Sequence, residues 1–188
     1  MMKYFKLLLI AMLVLTSCED QLDISSEDDV SPEVALNNQT TVNGLVVGLY
    51  SQAQAADAFN GTPQVLSEWW ADNSDFKGSF PTFRAVEDYT AVSTNTSINA
   101  IWVQNLDVIE ACNFVLNRLP SADVDGLSDD LRSQYLAEAS FLRALTMFNM
   151  SVYFGQPYQF SQGSSLSIPI ILDTFDGSDL EPFTQPRN

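Results

Sequence analysis

Apolar residues return along this chain with helical spacing, most clearly in its second half. In SINAIWVQNLDVIEACNFVLNRLP, Ile98, Ile101, Trp102, Leu106, Ile109, Cys112, Leu116 and Leu119 recur every three or four positions, which places them on one helix face. Pro120 closes the run, with Asn117 and Arg118 in the last turn. A second long helix is predicted from Ser128, a suitable N-cap, with Asp129 and Asp130 at the positive end of the helix dipole. It continues through LRSQYLAEASFLRALTMFNMSVYF to Gly155 as the expected C′ residue. This helix carries two apolar stripes: Leu131, Tyr135, Ala139, Leu142 and Thr146, and then Phe141, Leu145, Phe148 and Val152. Two stripes predict a helix wedged between neighbours on both sides, as in a stacked helical array.

The first half is less regular. Pro32 suits a first helical turn after Ser31, and Val34, Val42, Leu45, Val46 and Leu49 predict a helix from Glu33 to about Ala56. Gly44 and Gly48 loosen it and are expected to let a neighbouring backbone approach. A short helix is predicted from about Pro63 to Ala71, carrying Val65, Leu66, Trp69 and Trp70. Residues 72–97, DNSDFKGSFPTFRAVEDYTAVSTNTS, are rich in turn formers and read as an irregular segment. The tail, SIPIILDTFDGSDLEPFTQPRN, holds a short apolar run and then loop residues. No alternation long enough for a sheet occurs, so the predicted class is mainly α.

The extreme N-terminus follows another pattern. Lys3 and Lys6 precede an unbroken apolar run from Leu7 to Leu15, too short to span a bilayer, which takes about 20 residues. Leu15-Thr16-Ser17-Cys18 resembles the bacterial lipobox. That resemblance implies a diacylglyceryl group on the Cys18 sulfur, cleavage before it and acylation of the new amino group. Each buried lipid methylene contributes about 0.8 kcal/mol, so several chains anchor durably. The residues after it, EDQLDISSEDDVSPE, hold seven carboxylates and no basic residue; mutual repulsion keeps such a segment extended as a tether. The expected organisation is a lipoprotein signal peptide at 1–17, an acidic tether at 18–32 and a helical domain at 33–188.

Charge and composition remove several functions. The chain carries a formal charge of −16, and loss of Lys3 and Lys6 with the leader makes it −18. Such a surface repels nucleic acid and disfavours lying flat on an anionic membrane. There is no histidine, which excludes imidazole-bound zinc, Ser-His-Asp triads and Cys-His dyads. Cys112 is the one cysteine besides Cys18, so no disulfide framework can form, and its apolar setting predicts an inert buried thiol. No cofactor is expected.

The stretch LAEASFLRALTMFNMSVYFGQP, residues 136–157, resembles the signature of the SusD/RagB family of surface nutrient-binding lipoproteins. Glu138, Ala139, Phe141, Leu142, Arg143, Ala144, Phe148, Phe154 and Gly155 fall on the family pattern, as do Trp102, Ile109 and Asn113 upstream. Ser140 departs from the usual basic residue, and Gln156-Pro157 is one residue shorter than the family's G-D-v-P. The resemblance implies a tetratricopeptide-like helical-repeat fold with long loops, and family members run to several hundred residues. The 188 residues are therefore read as a truncated N-terminal portion of that fold. It also implies outer-membrane location, glycan capture, and a TonB-dependent (SusC-like) transporter as partner. Glu138 and Arg143, five apart, are expected to pair with other helices rather than each other, and Asn113 to be a satisfied interhelical hydrogen bond. Those residues identify the fold and are not expected to touch ligand.

Ligand contacts are expected at residues 69–89. There Trp69, Trp70, Phe76, Phe80, Phe83 and Tyr89 lie among Asp72, Asn73, Asp75 and Arg84. Sugars present apolar C–H faces and polar rims, so a sugar site needs aromatic platforms beside fixed polar groups. By resemblance too, this region carries the loop-borne contacts of the family. The residues singled out for ligand are Trp70, Asp72, Asn73, Asp75, Phe76 and Arg84. The competing role, strongest for Trp69, is to pin the loop onto the helices. Non-covalent capture with no catalysis is the expected function, weighed against two rivals. Glycoside hydrolysis needs two carboxylates and the chain has 24 Asp and Glu, but context singles out no pair. A lipid-anchored helical-repeat scaffold binding protein partners is the other, and exposed loop aromatics would favour glycan over it.

Overall fold

The structure is a computed structural model, described for residues 31–174. Cys18, the signal peptide at 1–17, nearly all of the tether at 18–32 and residues 175–188 lie outside that range. The described helices are α1 (Pro32–Ala35), α2 (Gln39–Ala53), α3 (Thr62–Trp70), α4 (Pro81–Glu87), α5 (Thr96–Arg118), α6 (Asp129–Phe154) and α7 (Tyr158–Ser161), with a 3-10 turn at Leu119–Ser121. Among the described residues no strand forms, apart from a lone parallel bridge between Asn38 and Asp125. None of these helices is long and apolar enough to cross a membrane.

Side-chain caps explain where the helices begin. The helix expected from Glu33 to Ala56 is broken at Asn38, whose Oδ1 accepts from the Thr40 and Thr41 N–H groups at 2.9 and 3.1 Å. Thr41 reciprocates by accepting from the Asn38 N–H at 3.2 Å, so α2 starts at a capping box. Asn95 does the same for α5, accepting from the Ser97 and Ile98 N–H groups at 3.0 and 3.2 Å. Ser128 caps α6 through a bond from the Leu131 N–H at 3.3 Å, as expected. Gly155 ends α6 in extended backbone, φ −93 and ψ 167, rather than in the left-handed region. Space requires glycine there: a Cβ would lie 2.5 Å from the Ser151 carbonyl oxygen and 2.6 Å from Ser167 Oγ. Gly44 and Gly48 differ from expectation, for nothing lies within 4 Å of a Cβ at either position. Both turn away from the packed face that Val42, Val46 and Leu49 form.

Among the described residues, 35–174 pack as one unit. Its main core joins Val42, Val46 and Leu49 of α2 to Val108, Cys112 and Val115 of α5 and Tyr135, Ala139 and Leu142 of α6. Each large apolar side chain withdrawn from water there contributes roughly 1.5–3 kcal/mol. Polar groups inside are paired. Asn105 donates to the Ile101 carbonyl at 2.7 Å, and Thr146 donates to the Leu142 carbonyl at 2.8 Å. Asn113 is the interhelical bond expected of it: it accepts from Arg143 Nη1 at 2.9 Å and donates to the carbonyls of Ile171 and Asp173 at 3.1 Å each. Glu138, for its part, accepts from the Tyr50 hydroxyl on α2 at 3.0 Å. Cys112 is fully buried, and burial pushes its thiol up to about 11, so it stays protonated.

The two stripes of α6 fare differently. Tyr135, Ala139, Leu142 and Thr146 are buried against α2 and α5, whereas Phe141, Phe148 and Val152 are 61%, 65% and 60% exposed. The neighbour expected on the second side is not found among the described residues. One stripe is core and the other faces outward.

Candidate functional site

The segment from Trp69 to Tyr89 is built as a knot, and it contains a helix that the turn-forming composition concealed. Pro81 fixes the first turn of α4, and Val86, completely buried, anchors that helix beside Leu66, Trp69 and Ile101. Trp69 is buried, and its ring meets Phe76 at 5.0 Å and Phe83 at 5.3 Å between centroids. Phe76 and Phe83 meet edge to face at 5.7 Å and 89°. Edge-to-face rings add about 0.5–1.5 kcal/mol per pair beyond buried area.

Glu87, absent from the sequence candidates, organises the polar half. Its Oε1 accepts from the Phe76 N–H at 2.7 Å and its Oε2 from Arg84 Nη1 at 2.5 Å. Arg84 also donates to the Gly78 carbonyl at 3.2 Å and lies 5.1 Å over the Phe76 ring. A Cβ at Gly78 would stand 2.5 Å from that ring, so the turn needs glycine to close over it. Arg84 and Glu87 lie three residues apart on α4. Their pairing follows from the helix and was hidden while the helix itself went unread.

The remaining candidates sit on the outside. Asp72 turns the chain with φ 57. Asn73 is tied back to α3, its amide donating to Glu68 Oε2 at 3.0 Å. Asp75 pairs with Lys77 at 2.8 Å, and the ammonium holds its carboxyl below the usual carboxylate range. Trp70 is half-buried against the aromatic knot. Its carbonyl accepts from the Tyr89 hydroxyl at 2.7 Å, which draws the two ends of the segment together. Tyr89 has φ 54, a left-handed backbone uncommon for an aromatic residue. Its ring is 67% exposed and that of Phe80 is 65% exposed. Of the ring-bearing residues here, Trp69, Phe76 and Phe83 thus hold the knot, and Phe80 and Tyr89 face solvent.

No family model and no curated protein matches the chain. Solved structures do. A SusD superfamily protein from Bacteroides thetaiotaomicron VPI-5482 aligns with a TM-score of 0.63 at 19% identity, over 76% of this chain and 32% of that one. The chain has a SusD-like fold. A candidate sugar-binding protein from Bacteroides vulgatus ATCC 8482 aligns with a TM-score of 0.59 at 21% identity, over 75% of this chain and 31% of that one. This chain therefore spans about a third of the length of the structures that share its SusD-like fold. Within the FLRA stretch of α6, Leu142 is core and Arg143 is bound to Asn113, whereas Phe141 faces outward.

Proposed function

We propose that this protein captures oligosaccharides non-covalently at the cell surface, on the outer face of the 70–89 segment. The observation that carries this reading is a pair of exposed rings, Phe80 and Tyr89, on a backbone held by the Trp69 knot and by Glu87. A sugar face stacks on such rings, and Asp72, Asn73, Asp75 and the edge of Trp70 supply the polar and aromatic surroundings. Phe76 and Arg84 take part by holding the segment in shape. A SusD-like fold shared with a candidate sugar-binding protein supports the same substrate class. Cys18 carries the lipid, the acidic tether keeps the domain clear of the membrane, and a TonB-dependent, SusC-like transporter receives the sugar. No bond is made or broken in this role.

The reading is tested by titrating the tethered domain against a panel of neutral oligosaccharides. Trp70→Ala is expected to weaken the best binder about five-fold with unchanged helix content, since one aromatic stack contributes roughly 1 kcal/mol. Cys18→Ser is expected to release the protein from membranes, and the full-length protein to co-purify with a transporter from solubilised outer membrane. Palmitate labelling of Cys18→Ser would contradict the anchor. A second reading, a scaffold for protein partners, draws on the exposed stripe of Phe141, Phe148 and Val152. Phe148→Glu separates the two, because it leaves glycan affinity unchanged if capture is the function.

A further inference from the structure

A concavity lies at the C-terminal end of α6, where the chain turns through α7 and comes back. It has a volume of about 530 Å³, within the range of small-ligand sites. Hydroxyl groups line it: Ser167 donates to Ser151 Oγ at 2.9 Å, and Ser165 donates to Gln156 Oε1. Gln156 is exposed and forms part of the lining. One wall is Tyr158, 71% exposed. That ring is backed on one side by Gly163, where a Cβ would stand 3.3 Å from Tyr158 Cε2. Gly163 has φ 85 and follows Gln162 at φ 52, so a tight left-handed return sets the backing in place. Gly155, which admits no Cβ, lets Ser167 approach Ser151 at the floor.

Among the described residues no charged side chain lines this cavity, although the whole chain carries a formal charge of −16. An anion would be repelled by the protein's field, and a cation would find no carboxylate at the wall. A neutral, polyhydroxylated ring matches what remains: a half-free aromatic face, three hydroxyls and a carboxamide. The cavity is also joined to the aromatic segment. Phe154 packs against the cluster of Leu66, Trp69 and Val86 on one side and against that of Met150 and Ile168 on the other, and Gly155 begins the cavity immediately after it.

We propose that this cavity is a second saccharide subsite, taking a neutral pyranose unit stacked on Tyr158 and hydrogen-bonded by Gln156 and the serine hydroxyls. It rests on the capture reading for its ligand class and not on the 70–89 segment for its geometry. The test titrates four full-length proteins with neutral hexasaccharides of glucose, xylose and mannose, and with trigalacturonate as the anionic control. They are wild type, Tyr158→Ala, Gln156→Ala and Phe80→Ala/Tyr89→Ala, with circular dichroism to check folding. Tyr158→Ala and Gln156→Ala should each weaken the best neutral ligand about five-fold. Full affinity in both, with loss in Phe80→Ala/Tyr89→Ala, overturns the subsite and leaves the first site standing. Loss in the Tyr158 and Gln156 variants alone supports the subsite and removes the first site. Preference for trigalacturonate, or no binding of any sugar by wild type, overturns the subsite.

Discussion

Trp69 and Tyr89 lie at the two ends of one short segment and do opposite things. Trp69 is 8% exposed and touches Phe76 and Phe83; Tyr89 is 67% exposed and touches the segment through its hydroxyl. The difference teaches that an aromatic-rich loop is not uniformly a binding surface. Part of it must be spent on holding the rest still, because a loop of polar and turn-forming residues has little else to fix it. A ring presented on a mobile loop would lose ordering entropy on every binding event. Here the ordering is done in advance by the knot.

The largest effect expected from breaking this division is Trp69→Ala. It removes two ring contacts, to Phe76 and Phe83, from a buried site and should destabilise the domain by about 3–5 kcal/mol, measured by denaturant unfolding. Glu87→Gln comes next. It leaves Arg84 without its carboxylate and weakens the bond from the Phe76 N–H, so a loss of about 1–3 kcal/mol is expected. Accompanying weaker sugar binding would place Glu87 as a positioning residue; unchanged affinity with the same stability loss would confine it to folding. Tyr89→Phe should change stability by about 0.5–1.5 kcal/mol, the net worth of one hydrogen bond, and leave a ring for stacking. The smallest effect lies far from the segment. Cys112 should resist alkylation at neutral pH and react only on unfolding, because burial raises its pKa to about 11 from 9.0. The sign follows: the folded form holds its proton more tightly, so this contribution to stability is complete below about pH 9 and is lost as pH rises towards about 11.

The helices were largely legible because their signals are local. The three-to-four spacing of Ile98 to Leu119, Ser128 with its two aspartates, and Pro63 at the head of α3 all lie within a turn or two of what they specify. What failed was short or non-local. A seven-residue helix at Pro81–Glu87 is too brief for periodicity to rise above its flanking glycine, proline and serine. Asn38 was hidden because a capping asparagine and a helix-interior one look alike until Thr41 answers it. For the site, residue type was readable and orientation was not: Phe76 and Phe80 differ by four positions and by whether Trp69 covers them. The outward stripe of α6 reads as core in sequence, since no pattern tells an apolar face whether its neighbour is present.

The measurement that bears most directly on capture by the 70–89 segment is calorimetric titration of wild type, Phe80→Ala/Tyr89→Ala and Trp70→Ala with the best-binding neutral hexasaccharide. Circular dichroism monitors folding, and a reducing-end assay runs on the same mixtures. The account predicts a loss of about ten-fold or more in the double variant, from two stacking rings at roughly 1 kcal/mol each. It also predicts a smaller loss in Trp70→Ala, native helix content throughout and no new reducing ends. Equal affinities in all three proteins, or reducing ends that accumulate with wild type, would contradict it.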